Sequence, residues 1–251
     1  MLVVDNVTKQ FGGLVANKNI SFTMKEGEIM GIIGPNGSGK TTMFNMITGF
    51  LKPTSGTIMF YGEDLGPYEP FQIVSKGISR TFQITSILPE LSVEDNVFYG
   101  LHTRINAGLA KSVIQGKDYR NQEAEAAKRV DEVLELLGLA YRRTEMAKNI
   151  ASAEQRKLMI AIALARKPKL ILLDEPAAGT SREEQLELVE TIKKIRDSGV
   201  SVIVIEHNMR LIMNLCEHIV VFNFGEKIGD GTPEEIQNNP AVIDAYLGRA
   251  D

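Results

Sequence analysis

The chain has 251 residues, of which 43% are hydrophobic, and a formal net charge of −4. This length and apolar fraction allow a large core, and we expect either one domain or a domain that carries a subdomain. The slightly acidic charge gives no general attraction to nucleic acid, so we expect no nucleic-acid partner. The single cysteine, Cys216, excludes an internal disulfide.

No uninterrupted apolar run approaches the roughly 18 residues that a membrane-spanning helix needs. The first residues, Met1–Asn6, lack the basic start and the long apolar stretch of a signal peptide. We therefore expect a soluble chain whose membrane association comes through another protein.

The N-terminal part of the chain has the pattern of strands joined by turns. Strands are predicted at Leu2–Val4, Ile20–Met24 and Thr57–Tyr61, which indicates a small antiparallel sheet. Phe11, followed by Gly12-Gly13, lies in a predicted loop, where its aromatic face can stack on a nucleobase. A lone phenylalanine is more often a core residue, so both interpretations of Phe11 stay open.

A phosphate-loop pattern, G-x-x-x-x-G-K-[ST], lies between two predicted elements. The residues of this loop are Gly34, Pro35, Asn36, Gly37, Ser38, Gly39, Lys40, Thr41 and Thr42. Its glycines let backbone N–H groups wrap a di- or triphosphate, Lys40 reaches the terminal phosphates and the Thr41 hydroxyl holds Mg²⁺. The preceding run Ile29–Ile33 is typical of a buried strand, and Thr41–Thr48 is typical of a helix whose N-terminus faces the phosphates. The alternative is a glycine-rich turn that fits the pattern by accident, and the flanking elements argue against it.

The middle of the chain, from about Ser86 to Ala165, has helical periodicity instead of strand signals. A helix is predicted over Gln122–Leu137, ending at Gly138. Its apolar face comprises Ala126, Val130, Val133, Leu134 and Leu137. The polar segment Arg104–Asn121 has two glycines and no clear period, and it is predicted to be an exposed loop or a loosely ordered insertion. We therefore expect a helical subdomain inserted into an α/β core.

The last third of the chain returns to alternating strands and helices. A buried strand is predicted at Leu170–Leu173, followed by Asp174-Glu175, and another at Val202–Ile205, followed by Glu206-His207. Between them a helix is predicted over Arg182–Ser198. Open α/β sheets bind ligands at the carboxyl ends of their strands, where these polar residues lie.

Asp174 and Glu175 fit two tasks that phosphoryl transfer to water requires. One carboxylate holds Mg²⁺, often through water, which suits Asp174, and another group orients or deprotonates the attacking water, which suits Glu175. His207 can bond the γ-phosphate or fix Glu175 and the water. Without a phosphate loop upstream, we would favour acidic residues that only cap a strand and a structural histidine.

These motifs together resemble the nucleotide-binding subunit of ABC transporters over nearly the whole chain. Residues 34–42 resemble Walker A, and Leu170–Glu175 resembles Walker B with its catalytic glutamate. His207 matches the switch histidine of the family, and Phe11 matches the aromatic residue that stacks on adenine. Gln83 matches the Q-loop glutamine, which contacts Mg²⁺ or water and links the nucleotide to the membrane partner.

The resemblance implies a P-loop ATPase fold of ABC type. Its α/β core, with an N-terminal antiparallel β subdomain, comprises residues 1–85 and 161–251, and its inserted helical subdomain comprises about residues 86–160. ATP and Mg²⁺ are the implied cofactors, with Thr41, Gln83 and Asp174 around the metal. Glu175, His207 and Gln83 are the implied catalytic residues.

Three segments resemble the ATP-binding subunits of branched-chain amino acid importers in particular: Gly77–Gln83, Leu88–Val97 and Asp174–Gly179. The resemblance implies membrane-embedded partner subunits, a second ATP-binding subunit and, indirectly, a solute-binding protein. It also implies a peripheral location at the cytoplasmic face of the inner membrane. The surface around Ser86–Val97 is expected to receive a short helix of the membrane subunit.

The chain departs from the family pattern at the signature, where relatives have Leu-Ser-Gly-Gly-Gln or a near variant. The segment in this chain comprises Ala151, Ser152, Ala153, Glu154 and Gln155. Ala151 lacks the serine hydroxyl that would reach the partner's γ-phosphate, and Ala153 has a methyl group where glycine allows close approach. Because the family forms each ATP site between two subunits, we expect a slow homodimer and favour a heterodimer with a partner that has an intact signature.

Three functions are open on the sequence. The favoured one is an ATPase subunit that powers solute import. The altered signature leaves open a nucleotide-gated regulatory or structural module with little turnover. A soluble ABC-type factor in translation or repair is disfavoured, since such factors usually join two of these domains in one chain or carry long coiled-coil insertions.

Overall fold

The structure of the chain, a computed structural model, describes residues 1–81, 87–102 and 117–247. Contacts along the chain divide it into two compact units, of which the first comprises Met1–Arg80 and Lys169–Asp251 and the second comprises Thr81–Pro168. The predicted return to the core at residue 161 falls inside a helix of the second unit, Ser152–Leu164.

Within residues 1–81, 87–102 and 117–247, the strands belong to the first unit and form two sheets. They are β1 (Leu2–Phe11), β2 (Leu14–Met24), β3 (Ile29–Ile33), β4 (Ser55–Phe60), β5 (Glu63–Asp64), β6 (Ile78–Arg80), β7 (Leu170–Asp174), β8 (Ser201–Ile205), β9 (His218–Asn223) and β10 (Glu226–Gly231). The helices are α1 (Lys40–Ile47), α2 (Pro70–Ser75), α3 (Val93–His102), α4 (Lys117–Leu136), α5 (Ser152–Leu164), α6 (Arg182–Asp197), α7 (Met209–Leu215), α8 (Pro233–Gln237) and α9 (Pro240–Leu247). Among the described residues, no helix combines the length and the apolar character needed to span a bilayer.

The smaller sheet is antiparallel, in the order β2-β1-β4-β5, as predicted. β1 and β2 are longer than predicted and meet in a hairpin in which Phe11 pairs with Leu14. Gly12, with a φ of +58°, lies in the turn. The prediction that Phe11 lies in a loop is therefore wrong. Exposed residues in the outer halves of both strands obscured the apolar alternation.

The larger sheet has the order β10-β9-β3-β8-β7-β6, in which only β10 runs antiparallel to its neighbour. β3, β7 and β8 are buried at every residue, as their apolar runs predict. The register pairs Ile32 with Ile205 and Ile205 with Asp174. This row aligns the carboxyl ends of β3, β8 and β7, where an α/β sheet binds its ligand.

The core of the first unit holds α1 against both sheets. Phe222 of β9 is fully buried and packs on Phe22 of β2 with the ring centroids 6.5 Å apart. Met43 and Phe44 of α1 are fully buried in the same cluster. Each such side chain contributes about 1.5–3 kcal/mol on burial. The packing of α1 therefore fixes the position of the phosphate loop that precedes it.

The second unit is helical, as predicted. Val130, Val133 and Leu134 of α4 are buried on one face, and Gly138, with a φ of +67°, follows the helix. Residues 104–116 of the predicted loop Arg104–Asn121 lie outside the described residues. For residues 117–121 the loop prediction is wrong, because these residues begin α4. This first part of α4 has no apolar period, so periodicity could not reveal it.

His218, the first residue of β9, forms ionic contacts with Glu28, just before β3, and with Asp230 of β10. The Nδ1 atom of His218 lies 3.3 Å from Glu28 Oε1, and its Nε2 atom lies 2.6 Å from Asp230 Oδ1. Hydrogen bonding to Glu28 raises the pKa of His218, and Asp230 adds to this effect, while burial opposes it. Protonated His218 is therefore more stable in the folded chain than in the unfolded chain.

We predict that His218 stabilises the fold in a pH-dependent way. Because the pKa of His218 is raised on folding, its contribution is fully present below the unfolded value of about 6.5 and is lost as the pH rises through the folded-state pKa. His218→Gln should lower the free energy of unfolding more at about pH 6 than at about pH 9. Urea unfolding of the parent and the variant at both pH values measures this effect. A loss of equal size at both values would contradict the prediction.

Candidate nucleotide site

Two glycines of the phosphate loop lie where no side chain fits. Gly34, directly after β3, has a φ of +148°, and a Cβ atom there would lie 2.0 Å from the Phe222 carbonyl oxygen. Gly39 has a φ of +101°, and its Cβ atom would lie 2.5 Å from the Ala16 carbonyl oxygen. The loop therefore turns tightly from β3 into α1, and the N–H groups of the first turn of α1 have no partner within the helix.

The Lys40 side chain is buried and closes the loop. Its Nζ atom donates to the carbonyl oxygens of Gly34 at 2.8 Å and Pro35 at 3.0 Å. Burial lowers the pKa of Lys40, while the carboxylates of Glu175 and Asp174 oppose this shift. The structure therefore brings Lys40 within electrostatic reach of both predicted acidic residues.

Asp174, the last residue of β7, is paired with Arg80 in a buried setting. Arg80 Nη2 donates to Asp174 Oδ2 at 2.7 Å, and the two side chains are 6% and 3% exposed. Arg80 Nη1 also donates to Asn45 Oδ1 at 2.6 Å, and the guanidinium group lies 5.4 Å from the centre of the Phe44 ring. An uncompensated buried charge would cost several kcal/mol. Arg80 therefore compensates the charge of Asp174 and orients its carboxylate.

Glu175 has a φ of +49°, a left-handed conformation that is uncommon outside glycine. Its backbone N–H donates to the Ile205 carbonyl oxygen at 2.9 Å, which fixes the turn on the end of β8. Glu206 stabilises the turn that follows Glu175, because its buried carboxylate accepts a 2.7 Å hydrogen bond from the Ala177 N–H. Burial raises the pKa of Glu206. Strained residues of this kind cluster at functional sites.

His207 follows Glu206 at the carboxyl end of β8, and its side chain is 62% exposed. Its Nδ1 atom lies 3.9 Å from Glu206 Oε2, which is beyond hydrogen-bond range. Asn208 then caps α7, since its Oδ1 atom accepts from the Leu211 N–H. The imidazole is therefore accessible at the sheet edge that carries Asp174.

Phe11 is 45% exposed at the end of β1, with Lys9 Nζ lying 5.1 Å from the centre of its ring. This exposure excludes the core interpretation of Phe11, and its stacking role stays a prediction. Gln83, predicted as the Q-loop glutamine, lies outside the described residues.

The predicted signature residues begin α5 in the second unit. They are Ala151, Ser152, Ala153, Glu154 and Gln155. Ala151 is the N-cap and has no side-chain acceptor, and its N–H donates to Glu154 Oε2 at 2.8 Å. Burial by itself would raise the pKa of Glu154. Hydrogen bonds from Tyr141, the Ala151 N–H and Arg142 outweigh this effect, so the pKa of Glu154 is lowered. Glu154 is therefore a fixed negative charge in the first turn of α5.

The first unit thus combines a fully buried β3, a loop closed by Lys40, and acidic residues at the end of β7. This combination defines a P-loop nucleotide-binding α/β protein. The sequence profile of the ABC transporter family matches residues 17–178, which include the loop and the acidic residues. The chain belongs to the ABC transporter family, as one of its ATP-hydrolysing ATP-binding cassettes. A second profile, described as branched-chain amino acid ATP-binding cassette transporter, matches residues 226–251.

Relatives and solved structures agree with this family over at least 93% of the chain. The high-affinity branched-chain amino acid transport ATP-binding protein LivG of Salmonella typhimurium is 41% identical over 251 residues, covering 100% of this chain and 98% of LivG. The crystal structure of the ADP conformation of MJ1267, an ATP-binding cassette of an ABC transporter, matches with a TM-score of 0.86 and 30% identity over 99% of both chains. The dimeric post-hydrolysis state of the cassette MJ0796, bound to ADP and Pi, matches with a TM-score of 0.75 and 26% identity over 93% of this chain and 99% of that chain. The predicted P-loop ATPase fold is confirmed.

Sequence reasoning did not find Arg80 and Glu206 as parts of the site. Both act on other residues, Arg80 on the carboxylate of Asp174 and Glu206 on the turn at Ala177. Each is a charged residue at the end of an apolar strand, and that local pattern does not indicate which distant group the side chain contacts.

We predict that Arg80→Met strongly destabilises the chain. The change removes the guanidinium group that forms a buried ion pair with Asp174, and breaking such a pair by removing one partner lowers the free energy of unfolding by about 3–5 kcal/mol. Denaturant unfolding measures the loss. The matched control is Lys193→Met, which removes an exposed pair with Glu190 and should change the free energy by at most about 1 kcal/mol. Similar small losses in both variants would contradict the compensating role of Arg80.

Proposed function

We propose that the chain is the ATP-hydrolysing subunit of an importer of branched-chain amino acids. The observation that carries this proposal is the similarity to LivG over the whole chain. The separate match of residues 226–251 supports the same substrate class. Because the solute does not touch an ATP-binding subunit, the substrate is proposed by analogy with the relatives. None of the named relatives favours the alternative of a regulatory module with little turnover.

The proposed binding step uses the loop and Lys40. Exchange of the Gly34 and Pro35 carbonyl oxygens for phosphate oxygens would let the buried ammonium group pair with the terminal phosphates. The loop N–H groups and the first turn of α1 add donors for the same phosphates. The proposed phosphate-binding residues are Gly34, Pro35, Asn36, Gly37, Ser38, Gly39, Lys40, Thr41 and Thr42.

Mg²⁺ is proposed as the cofactor that accompanies ATP. Asp174 has a carboxylate at the end of β7, and Thr41, an exposed residue in the first turn of α1, has a hydroxyl, so both offer the hard oxygen atoms that Mg²⁺ prefers. With Gln83 they form the proposed metal site. The ion would neutralise phosphate charge.

The proposed hydrolytic step uses the two residues that extend past the sheet edge. Glu175 follows β7 directly, its carboxylate opposes the lowering of the Lys40 pKa, and in the proposal it acts as the base for the attacking water. The exposed imidazole of His207 orients the water or contacts the γ-phosphate. Gln83 is the third proposed catalytic residue.

We predict that Glu175→Gln retains ATP binding but hydrolyses ATP about 10²- to 10⁴-fold more slowly, because the amide keeps the shape of the side chain and removes the base. Binding titrations and steady-state ATPase assays measure the two effects. Glu183→Gln, an exposed change on α6, is the matched control and should leave both unchanged.

The same variants test the proposed substrate in cells. A strain that lacks the gene should lose uptake of labelled leucine, isoleucine and valine. The parent and Glu183→Gln should restore the uptake, and Glu175→Gln should not. Uptake that does not depend on the gene would refute the substrate proposal, and hydrolysis by Glu175→Gln at the parental rate would refute the assignment of the base.

The proposed assembly is a peripheral one. Membrane-embedded subunits would hold the chain at the cytoplasmic face of the inner membrane, with a solute-binding protein as an indirect partner. The dimeric state of the MJ0796 cassette supports a pair of ATP-binding subunits. In such a pair the signature of one subunit would face the ATP of the other.

The signature of this chain favours a heterodimer in the proposal. Ala151 has no side-chain hydroxyl, so it cannot donate a hydroxyl hydrogen bond to a partner's phosphate. One missing charge-assisted hydrogen bond is worth about 1.5–3 kcal/mol, or one to two powers of ten in rate. A homodimer would carry this defect in both sites.

We predict that Ala151→Ser combined with Ala153→Gly raises the ATP turnover of the isolated chain by at least about tenfold, from the same hydrogen-bond energy. Steady-state ATPase activity, titrated over protein concentration to reveal second-order dependence, measures the gain. In the Glu175→Gln background the double change should produce no gain. An unchanged rate, or a parent already as fast as the variant, would remove the basis for the heterodimer.

A further inference from the structure

Asn17 of β2 is a fully buried asparagine whose side-chain amide is poorly satisfied. Its Nδ2 atom donates to the Gly39 carbonyl oxygen at 3.3 Å, and within the described part of the chain its buried Oδ1 atom has no hydrogen-bond partner. Asn96 of α3, which is also buried, differs in this respect. Its Nδ2 atom donates to the Leu88 and Ser92 carbonyl oxygens, and its Oδ1 atom accepts from the Leu88 N–H. The bonds of Asn96 thus explain a buried amide, and those of Asn17 do not.

A β-bulge turns Asn17 into the interior. Ile20 is buried, and the alternation of a strand would bring Lys18 inward next. The chain instead buries Asn17 and exposes Lys18. The pairs Val7–Ile20 and Lys9–Asn17 are two residues apart on β1 but three apart on β2, so β2 has an extra residue between them. Bulges of this kind re-aim side chains and are frequent beside active sites.

The bond from Asn17 fixes one peptide group of the phosphate loop. Gly39 is the N-cap of α1, and its carbonyl oxygen accepts from the Met43 N–H at 3.0 Å as well as from Asn17 Nδ2. The Lys40 N–H belongs to the same planar peptide group, in which the C=O and N–H bonds point in opposite directions. A carbonyl group held by Asn17 therefore directs the Lys40 N–H out of the N-terminus of α1, where helices bind anions.

Stability alone gives no reason for an asparagine at this position. Without Asn17, the Gly39 carbonyl oxygen would keep its bond from the Met43 N–H, so no acceptor of the loop would lose its last partner. The same change would remove the unsatisfied Oδ1 atom, and a buried polar atom without a partner lowers stability. The effect of Asn17 on the phosphate loop is the remaining reason for the residue.

We propose that Asn17 is a positioning residue for nucleotide binding, which orients the peptide group between Gly39 and Lys40 so that the Lys40 N–H donates to the phosphates. This inference rests on the proposed nucleotide site. Because the bond acts on a phosphate contact, Asn17 raises the affinity for ATP and for a bare phosphate chain by the same factor.

Asn17→Ala tests the proposal by separating affinity from stability. We expect its affinity for ATP and for tripolyphosphate, which has no base, to fall about 3- to 10-fold, while the equilibrium constant of unfolding stays within about threefold of the parental value. In ATPase assays KM should rise and kcat should stay at the parental value, because the contact is made in the bound ground state as well. Asn17→Leu, which fills the space left by alanine, is the second variant and should lower both affinities equally.

Asn96→Ala is the matched control with the opposite expectation. It breaks a satisfied buried amide outside the phosphate loop, so unfolding should become at least about tenfold more favourable while the affinity for tripolyphosphate stays at the parental value. Parental affinities in both Asn17 variants, or a loss confined to ATP, would overturn this inference alone. A parent that binds neither ATP nor tripolyphosphate would overturn the proposed nucleotide site as well.

Discussion

The register of three parallel strands is the constraint on which the site depends. Ile32 of β3, Ile205 of β8 and Asp174 of β7 lie in one row, so the phosphate loop, His207 and the acidic pair leave the sheet at the same edge. A slip of one residue would turn each side chain of a strand to the other face of the sheet. Because all three strands are buried on both faces, such a slip would place polar groups in the core and is strongly disfavoured.

This edge of the sheet concentrates charged groups that are each compensated in a different way. Asp174 is paired with a guanidinium group, Lys40 is bonded to backbone carbonyl oxygens, and Glu206 accepts from a backbone amide. In a setting with little water, such bonds hold the groups in fixed positions, and an unpaired group would be costly. The energy of the fold and the geometry of the site therefore rest on the same contacts.

Local patterns predicted what local sequence determines: the buried strands, the phosphate loop and the helical middle of the chain. They failed where contacts between distant segments decide the structure. Arg80 and Asp174 are far apart in the chain and meet only because β6 and β7 are adjacent. The turn at Gly225, likewise, is held by backbone hydrogen bonds with Ser38 and Lys18, which belong to distant segments of the chain. The sequence offered no period or motif for these contacts.

The closure of the phosphate loop by Lys40 has a consequence for the entropy of binding. The ammonium group holds two carbonyl oxygens of its own loop, and the neighbouring glycines are fixed by close backbone packing. Ordering the backbone of one residue costs about 1–2 kcal/mol, and for this loop that cost is met when the chain folds. A nucleotide that arrives exchanges hydrogen bonds with a loop already in shape, so little of its interaction energy is spent on ordering the protein.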